Sequence, residues 1–136
     1  MASLRLLLAA RIAEVGRLAD EAGRFAEAGG LGAEPVARLL IVLDELVTNA
    51  IMHGRLAEHE TIEVELARRG GGLDVTVLDP GPPFDPLHDA PAPKLAASLE
   101  QRPIGGLGIH LVLRLGRDVS YARTAEGRNR LGFRIE

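Results

Sequence analysis

Residues 61–79 read TIEVELARRGGGLDVTVLD, and this stretch decides the class of fold. Apolar and polar side chains alternate on both sides of the glycines at 70–72, as they do in strands that bury one face. The apolar positions are Ile62, Val64 and Leu66 before the glycines, and Leu73, Val75 and Val77 after them. Two such strands joined by a short glycine turn predict an antiparallel hairpin.

The residues before the hairpin have the spacing of helices. Apolar side chains recur three and four apart over residues 12–26, which predicts an amphipathic helix that ends at Gly29-Gly30. A second helix is predicted from Pro35 to His53-Gly54, where the glycine is expected to form a left-handed cap. Its apolar face carries Leu39, Leu43, Leu46, Val47 and Ala50. Ahead of both helices, residues 6–10 are too short an apolar run for a signal sequence and predict a first strand.

The residues after the hairpin divide into a loop, a short helix and a second hairpin. Seven of the chain's eight prolines lie between positions 80 and 103, which predicts a long loop. A glycine-rich turn at 105–108 then opens a helix over 109–115, and strands near 119–121 and 131–135 flank a turn at 126–127. Helices on one face of a mixed, mostly antiparallel sheet make an α/β two-layer sandwich.

Composition restricts the class of protein. A chain of 136 residues, 46% hydrophobic and 26% charged, predicts a single globular domain over residues 1–136. The absence of cysteine excludes disulfides, thiolate zinc sites and cysteine nucleophiles. A net charge of −3 disfavours nucleic-acid binding, which needs clustered basic surface. Because no apolar run reaches about 18 residues, we expect no membrane span and a cytoplasmic location.

Two polar residues of the second predicted helix are not required by the fold. Glu45 and Asn49 lie four apart in the sequence, a spacing that puts both on one helix face. A solvated face would explain the glutamate alone. Asparagine, however, is a poor residue for a helix interior. An oxygen ligand for a divalent cation would explain Asn49.

Asp79 ends the second strand of the hairpin, on the same face as that strand's apolar residues. A carboxylate on the core side of a sheet must be hydrogen-bonded. It is either the start of an Asx turn or the acceptor for an amine on a buried ligand. In the second interpretation, Gly81 leaves room for the ligand to approach.

The third place is the glycine-rich run at 104–109, which leads into a helix. Such a turn exposes backbone N–H groups at the positive end of the helix dipole and can therefore bind phosphate. A plain loop-to-helix junction explains the same residues equally well. The run has neither the spacing of a Walker A loop nor that of a dinucleotide-binding turn.

In order along the chain, these three places resemble the ATP-binding boxes of the histidine-kinase-like ATPases, the GHKL superfamily with its Bergerat fold. Residues 45–54, ELVTNAIMHG, resemble the N box; residues 79–86, DPGPPFDP, the G1 box; and residues 105–112, GGLGIHLV, the G2 box. Within the superfamily, the sequence is most similar to the small anti-sigma-factor serine/threonine kinases. Their closing hairpin contains an asparagine, which is Asn129 here.

The resemblance implies a role for each residue of these boxes. Glu45 would be the catalytic base, and Asn49 would hold the Mg²⁺ that bridges the ATP phosphates. Asp79 would accept a hydrogen bond from the adenine amine beside Gly81. The glycines of the third box would hinge an ATP lid over about 82–104. The other nucleotide-binding residues that the resemblance implies are Phe84, Arg102, Gly105, Gly106, Leu107 and Gly108.

The resemblance also implies an activity and partners. The expected protein is a Mg²⁺- and ATP-dependent serine/threonine kinase and anti-sigma factor that phosphorylates a small antagonist protein and sequesters a sigma factor. It is expected to work as a homodimer, without nucleic-acid or membrane partners. The alternative is a non-catalytic, ATP-gated binding module that regulates a partner protein. A domain that binds no nucleotide would leave Asn49 and Asp79 unexplained.

Overall fold

The computed structural model describes residues 2–85 and 106–136, and within 106–109 it describes the backbone. These residues form five strands and three helices in an order close to the predicted one. The elements are β1 (Ser3–Ala9), α1 (Glu14–Ala28), α2 (Ala33–His53), β2 (Thr61–Arg69), β3 (Gly72–Asp79), α3 (Gly106–Leu115), β4 (Arg117–Arg123) and β5 (Asn129–Ile135).

The strands form one sheet in the order β1-β2-β3-β5-β4. All four pairings between neighbouring described strands are antiparallel. The two predicted hairpins are present as β2–β3 and β4–β5. The α/β architecture is therefore confirmed, with a sheet that is antiparallel at every described pairing.

Helix α2 lies at the centre of the helical layer. It packs against α1 on one side, α3 on the other, and strands β3 and β5 beneath it. Its predicted apolar face is buried, with Leu39, Leu43 and Val47 at 1% exposure or less. Burial at that level is worth about 2 kcal/mol for each leucine side chain. The packing fixes the carboxyl-terminal half of α2 above the ends of β3 and β5.

Two helix ends differ from the prediction. Helix α1 begins at Glu14, so Ile12 lies before the helix and is half exposed. Gly54, which follows α2, has φ −78° and is not a left-handed cap. A Cβ at Gly54 would lie 2.3 Å from the carbonyl oxygen of Ala50, so the glycine is required by space. The left-handed residue is Arg55, with φ 54°.

The start of α3 was also predicted too late in the chain. The helix begins at Gly106, three residues before the predicted start at Ile109. Glycine is a weak helix former, which is why the sequence pattern favoured a turn over these residues. Gly106, Leu107 and Gly108 consequently form the first turn of α3 and not a loop ahead of it.

Arg68 caps the carboxyl-terminal end of α1. Its Nη2 donates to the carbonyl oxygen of Phe25 at 2.8 Å, and its guanidinium lies 4.5 Å from the centre of the Phe25 ring. Helix α1 has no basic residue in its own last turn, so Arg68 supplies the cation that the helix dipole favours there. The buried Nε of Arg68 has no partner in the described part of the chain, which offsets some of this gain.

We expect Arg68→Met to lower the free energy of unfolding by about 1 kcal/mol, because methionine keeps an apolar stem but loses the cap and the cation–π contact. Urea denaturation measures the change. Arg11→Met, at an exposed arginine, is the matched control and should stay within about 0.5 kcal/mol of the parent. Equal stability of the two variants would show that Arg68 contributes no net stabilisation.

Candidate functional site

A cavity of about 270 Å³ opens between the carboxyl-terminal half of α2 and the ends of β3, β4 and β5. Its wall is mostly apolar with a few polar groups, which is the usual character of a small-molecule site. The residues that line it are Leu46, Asn49, Ala50, His53, Gly54, Val77, Asp79, Gly81, Pro82, Pro83, Phe84, Tyr121, Asn129 and Leu131. Four predicted site residues, Asn49, Asp79, Gly81 and Phe84, therefore share one cavity with Asn129 of the closing hairpin.

The two carboxylate oxygens of Asp79 have different surroundings. Oδ1 accepts hydrogen bonds from the backbone N–H of Gly81 at 2.9 Å and from Nδ2 of Asn129 at 3.1 Å. The bond to Gly81 is an Asx turn, one of the two arrangements the sequence left open. Oδ2 accepts no hydrogen bond from any described residue. An Asx turn and a free acceptor for a ligand therefore coexist on one side chain.

Gly81 sits where the chain is too crowded for a side chain. A Cβ there would lie 2.9 Å from Oδ1 of Asp79 and 3.1 Å from the carbonyl oxygen of Gly54. Any larger residue would push the Asp79 carboxylate or the end of α2 out of position. The glycine thus lets the segment after β3 pass close to α2, as the cavity requires.

Asn49 lines the cavity with an unsatisfied amide. Its Nδ2 is buried and has no hydrogen-bond partner among the described residues. Leaving a buried donor without a partner costs about 1–3 kcal/mol, so a folded chain seldom retains one without a use for it. An unused hydrogen-bond donor at the cavity wall is expected of a residue that forms a hydrogen bond with a bound ligand.

A magnesium ion fits this donor set on chemical grounds. The described residues contain no group of three or more His, Cys, Asp or Glu side chains that could hold a metal by themselves. Mg²⁺ commonly takes one or two protein oxygens and completes its shell with water and phosphate oxygens. The amide oxygen of Asn49 is a suitable single protein ligand for an ion held in that way.

Glu45 lies one turn before Asn49 on α2 but does not line the cavity. Its carboxyl group is partly buried. Burial, followed by the neighbouring charge of Asp44, raises the pKa of Glu45 above its ordinary value. A higher pKa makes the carboxylate a better proton acceptor. The structure therefore separates Glu45 from the group formed by Asn49 and Asp79, while giving it properties suited to a base.

The G2 box at 105–112 lies only partly within the residues that the structure describes. Arg102 and Gly105 lie outside the described residues, as do positions 86–104 of the predicted lid. Gly106, Leu107 and Gly108 form the first turn of α3, where backbone N–H groups have no partner within the helix. Phe84 lines the cavity at 42% exposure, and its backbone N–H donates to Oδ1 of Asn129 at 3.2 Å.

The predicted site residues did not include Tyr121, His53 or Leu131, and Asn129 was identified only as part of the hairpin. A signal for Asn129 was present, because Leu131, Phe133 and Ile135 follow it at intervals of two. The same alternation puts Asn129 on the core face, directly opposite Asp79 in the sheet register. A polar residue at a buried position next to a carboxylate indicates a hydrogen-bonded pair.

None of the helices in the described residues is long and apolar enough to cross a lipid bilayer. None of the curated proteins matches the chain. Among solved structures, the chain is similar to the crystal structure of the RsbU and RsbW domains of Rv1364c from Mycobacterium tuberculosis, with a TM-score of 0.71 and 17% sequence identity. That match covers 100% of this chain and 32% of the other, so the chain spans about a third of its length. At this identity the likeness shows a shared fold.

The family comparison covers nearly all of the chain. Residues 8–135 match the model of the histidine kinase-like ATPase domain. The matched range includes the cavity, the three boxes and every helix and strand except the first residues of β1. The protein belongs to the histidine kinase-like ATPase domain family, as the GHKL resemblance of its sequence implied.

Proposed function

We propose that this protein is a Mg²⁺- and ATP-dependent serine/threonine kinase that acts as an anti-sigma factor. It would phosphorylate a small antagonist protein and sequester a sigma factor, working as a homodimer in the cytoplasm and as a single domain over residues 1–136. The ATP-binding part of this proposal rests on one observation. A single cavity contains both the free oxygen of Asp79 and the unsatisfied amide of Asn49. The kinase and sigma-factor parts rest on the resemblance to the anti-sigma-factor kinases.

The cavity suits a purine base at its Asp79 end. Oδ2 of Asp79 would accept a hydrogen bond from the adenine amine, while Oδ1 remains bonded to Gly81 and Asn129. The apolar side chains of Leu46, Val77 and Leu131 line the same space and would cover the faces of the base. A charged acceptor set in an apolar wall discriminates strongly, because a base without a matching donor would leave the acceptor desolvated and unpaired.

The phosphates would lie toward Asn49 and the first turn of α3. Asn49 would hold Mg²⁺ through its amide oxygen, and its Nδ2 would donate to water. When bound, the ion supplies charge neutralisation at the phosphates. Backbone N–H groups of Gly106, Leu107 and Gly108 would bind phosphate oxygens at the positive end of the α3 dipole.

Glu45 would accept the proton of the serine or threonine hydroxyl that attacks the γ-phosphate. Its raised pKa, caused by burial and by Asp44, supports this role. The test is transfer of labelled γ-phosphate to serine or threonine of a protein that copurifies with the chain.

The alternative function is a non-catalytic, ATP-gated binding module. One observation favours it, namely that Glu45 does not line the cavity while the base-binding and metal-binding residues do. Such a module would bind Mg·ATP and a partner protein but leave no phosphate on the partner. ATP-dependent partner binding without labelled phosphate, after incubation for several hours, would support the module and exclude the kinase.

A further inference from the structure

Asn129, the first residue of β5, is a buried polar residue at the wall of the cavity, with 8% of its surface exposed. Its Oδ1 accepts three hydrogen bonds. The donors are Oη of Tyr121 at 2.6 Å, the backbone N–H of Phe84 at 3.2 Å and Nη1 of Arg123 at 3.3 Å. The oxygen end of this amide is thus surrounded by donors from β4 and from the segment after β3.

The nitrogen end of the Asn129 amide is surrounded by acceptors. Nδ2 donates to Oδ1 of Asp79 at 3.1 Å and to the carbonyl oxygens of Pro82 at 2.9 Å and Gly81 at 3.4 Å. Arg123 reinforces the same segment, since its Nη1 also donates to the Gly81 carbonyl oxygen at 2.7 Å. Rotating the amide by 180° would place its oxygen against three acceptors, so only one orientation is stable.

This fixed amide determines which oxygen of Asp79 is available to a ligand. Oδ1 is occupied by Nδ2 of Asn129 and by the backbone N–H of Gly81. The torsional freedom of the carboxylate is thereby removed, and Oδ2 is left for a ligand in the cavity. Groups that bind a ligand must be held in place by supporting hydrogen bonds if they are to discriminate between similar ligands.

We propose that Asn129 is the positioning residue of the base-binding carboxylate, holding Asp79 and the 81–84 segment so that Oδ2 alone meets the base. The inference rests on the proposed ATP site and adds a determinant of base selectivity to it. It also extends the base pocket to the β4–β5 hairpin, through Tyr121 and Arg123. An acceptor held in this way favours a purine with an amine at C6 over a purine with a carbonyl there.

The test compares the dissociation constants of ATP and ITP, which differ at C6 of the base, in four proteins and one control variant. They are the parent, Asn129→Ala, Asn129→Asp and Tyr121→Phe. Arg130→Ala, at the next residue of β5 and exposed, is the matched control and should bind as the parent does. Titrations are run at pH 8, and each variant is compared with the parent. Circular dichroism shows that each variant is folded.

We expect Asn129→Ala to weaken ATP binding about 30-fold and to bring the ratio of ATP to ITP affinity close to one. Tyr121→Phe should weaken ATP binding about threefold, because two of the three donors to Oδ1 remain. Unchanged ATP affinity and an unchanged ratio in Asn129→Ala would overturn the inference and leave the proposed ATP site standing. Failure of the parent to bind ATP would overturn both.

Asn129→Asp separates positioning from general support of the fold. At pH 8 the introduced carboxylate would repel Asp79 and the two carbonyl oxygens, so ATP affinity should fall at least about 30-fold. The charged groups facing this position are Asp79 and Arg123, with the Tyr121 hydroxyl beside them. A folded Asn129→Asp protein that binds ATP as tightly as the parent would contradict the positioning role.

Discussion

Replacing Glu45 by glutamine is expected to reduce phosphate transfer to the partner protein by about 10³-fold, because glutamine cannot accept the hydroxyl proton. The affinity for Mg·ATP should stay within about threefold of the parent, since Glu45 does not line the cavity. Transfer of labelled γ-phosphate under single-turnover conditions measures the first effect. An ATP titration measures the second.

The control for this variant is Asp44→Asn, which removes the adjacent and exposed carboxylate of α2. Asp44 raises the pKa of Glu45, so its loss should change the transfer rate a few-fold and no more. A Glu45→Gln protein that transfers phosphate at the parent rate would contradict the assigned base. Equal and large losses in both variants would point to a distorted helix.

Glu45→Gln should also make the protein more stable at neutral pH. The pKa of Glu45 is raised in the folded chain, chiefly by burial, so ionising it destabilises the fold. The stability that protonated Glu45 contributes is present below its unfolded pKa and is lost as the pH rises through the folded pKa. The variant should therefore melt at a higher temperature than the parent at pH 7.5, and the difference should vanish below about pH 4.

Asp79→Asn is expected to weaken ATP binding by about 100-fold. Oδ1 is needed to accept from Gly81 and Asn129, so the new side chain would keep its oxygen there and turn its NH₂ toward the cavity. A donor would then face the adenine amine, and the charged acceptor would be lost; hydrogen bonds to charged groups are worth about 1.5–3 kcal/mol. A titration with ATP in the presence of Mg²⁺ measures the change.

Asp74→Asn provides a matched substitution on the same strand. Asp74 lies on the opposite face of β3 and pairs with Arg69 and Arg134. Those ion pairs keep the pKa of Asp74 below its ordinary value, so the variant should lose some stability at neutral pH. Its ATP affinity should equal that of the parent. Binding that weakens equally in Asp74→Asn and Asp79→Asn would rule out a specific base contact at Asp79.

The fold was predictable where buried side chains recur at a regular spacing along the chain. Alternation over 61–79 identified β2 and β3, and the spacing of Leu39, Leu43 and Val47 identified the face of α2 that packs on the sheet. Predictions that depended on single glycines were less reliable. Gly54 was expected to be a left-handed cap and Gly106 to precede a helix, but the first is required by close approach to a carbonyl oxygen and the second lies inside α3.

The site was predictable residue by residue but not as a network. The resemblance located Asn49 and Asp79, and the structure brings both to one cavity. Glu45 shares a helix face with Asn49 but lies one residue before Leu46, where the part of α2 that lines the cavity begins. The partners of Asn129 at and after the end of β3 are distant in sequence, with Asp79 50 residues away, and no local pattern specifies such contacts.

The central claim is that this cavity binds Mg·ATP through Asn49 and Asp79. Its most direct test is a titration of the parent and of Asn49→Ala with ATP, with and without Mg²⁺. We predict that Mg²⁺ strengthens ATP binding by the parent at least about tenfold, and that Asn49→Ala loses this gain while matching the parent when Mg²⁺ is absent. Failure of the parent to bind ATP, or an equal Mg²⁺ effect in both proteins, would contradict the account.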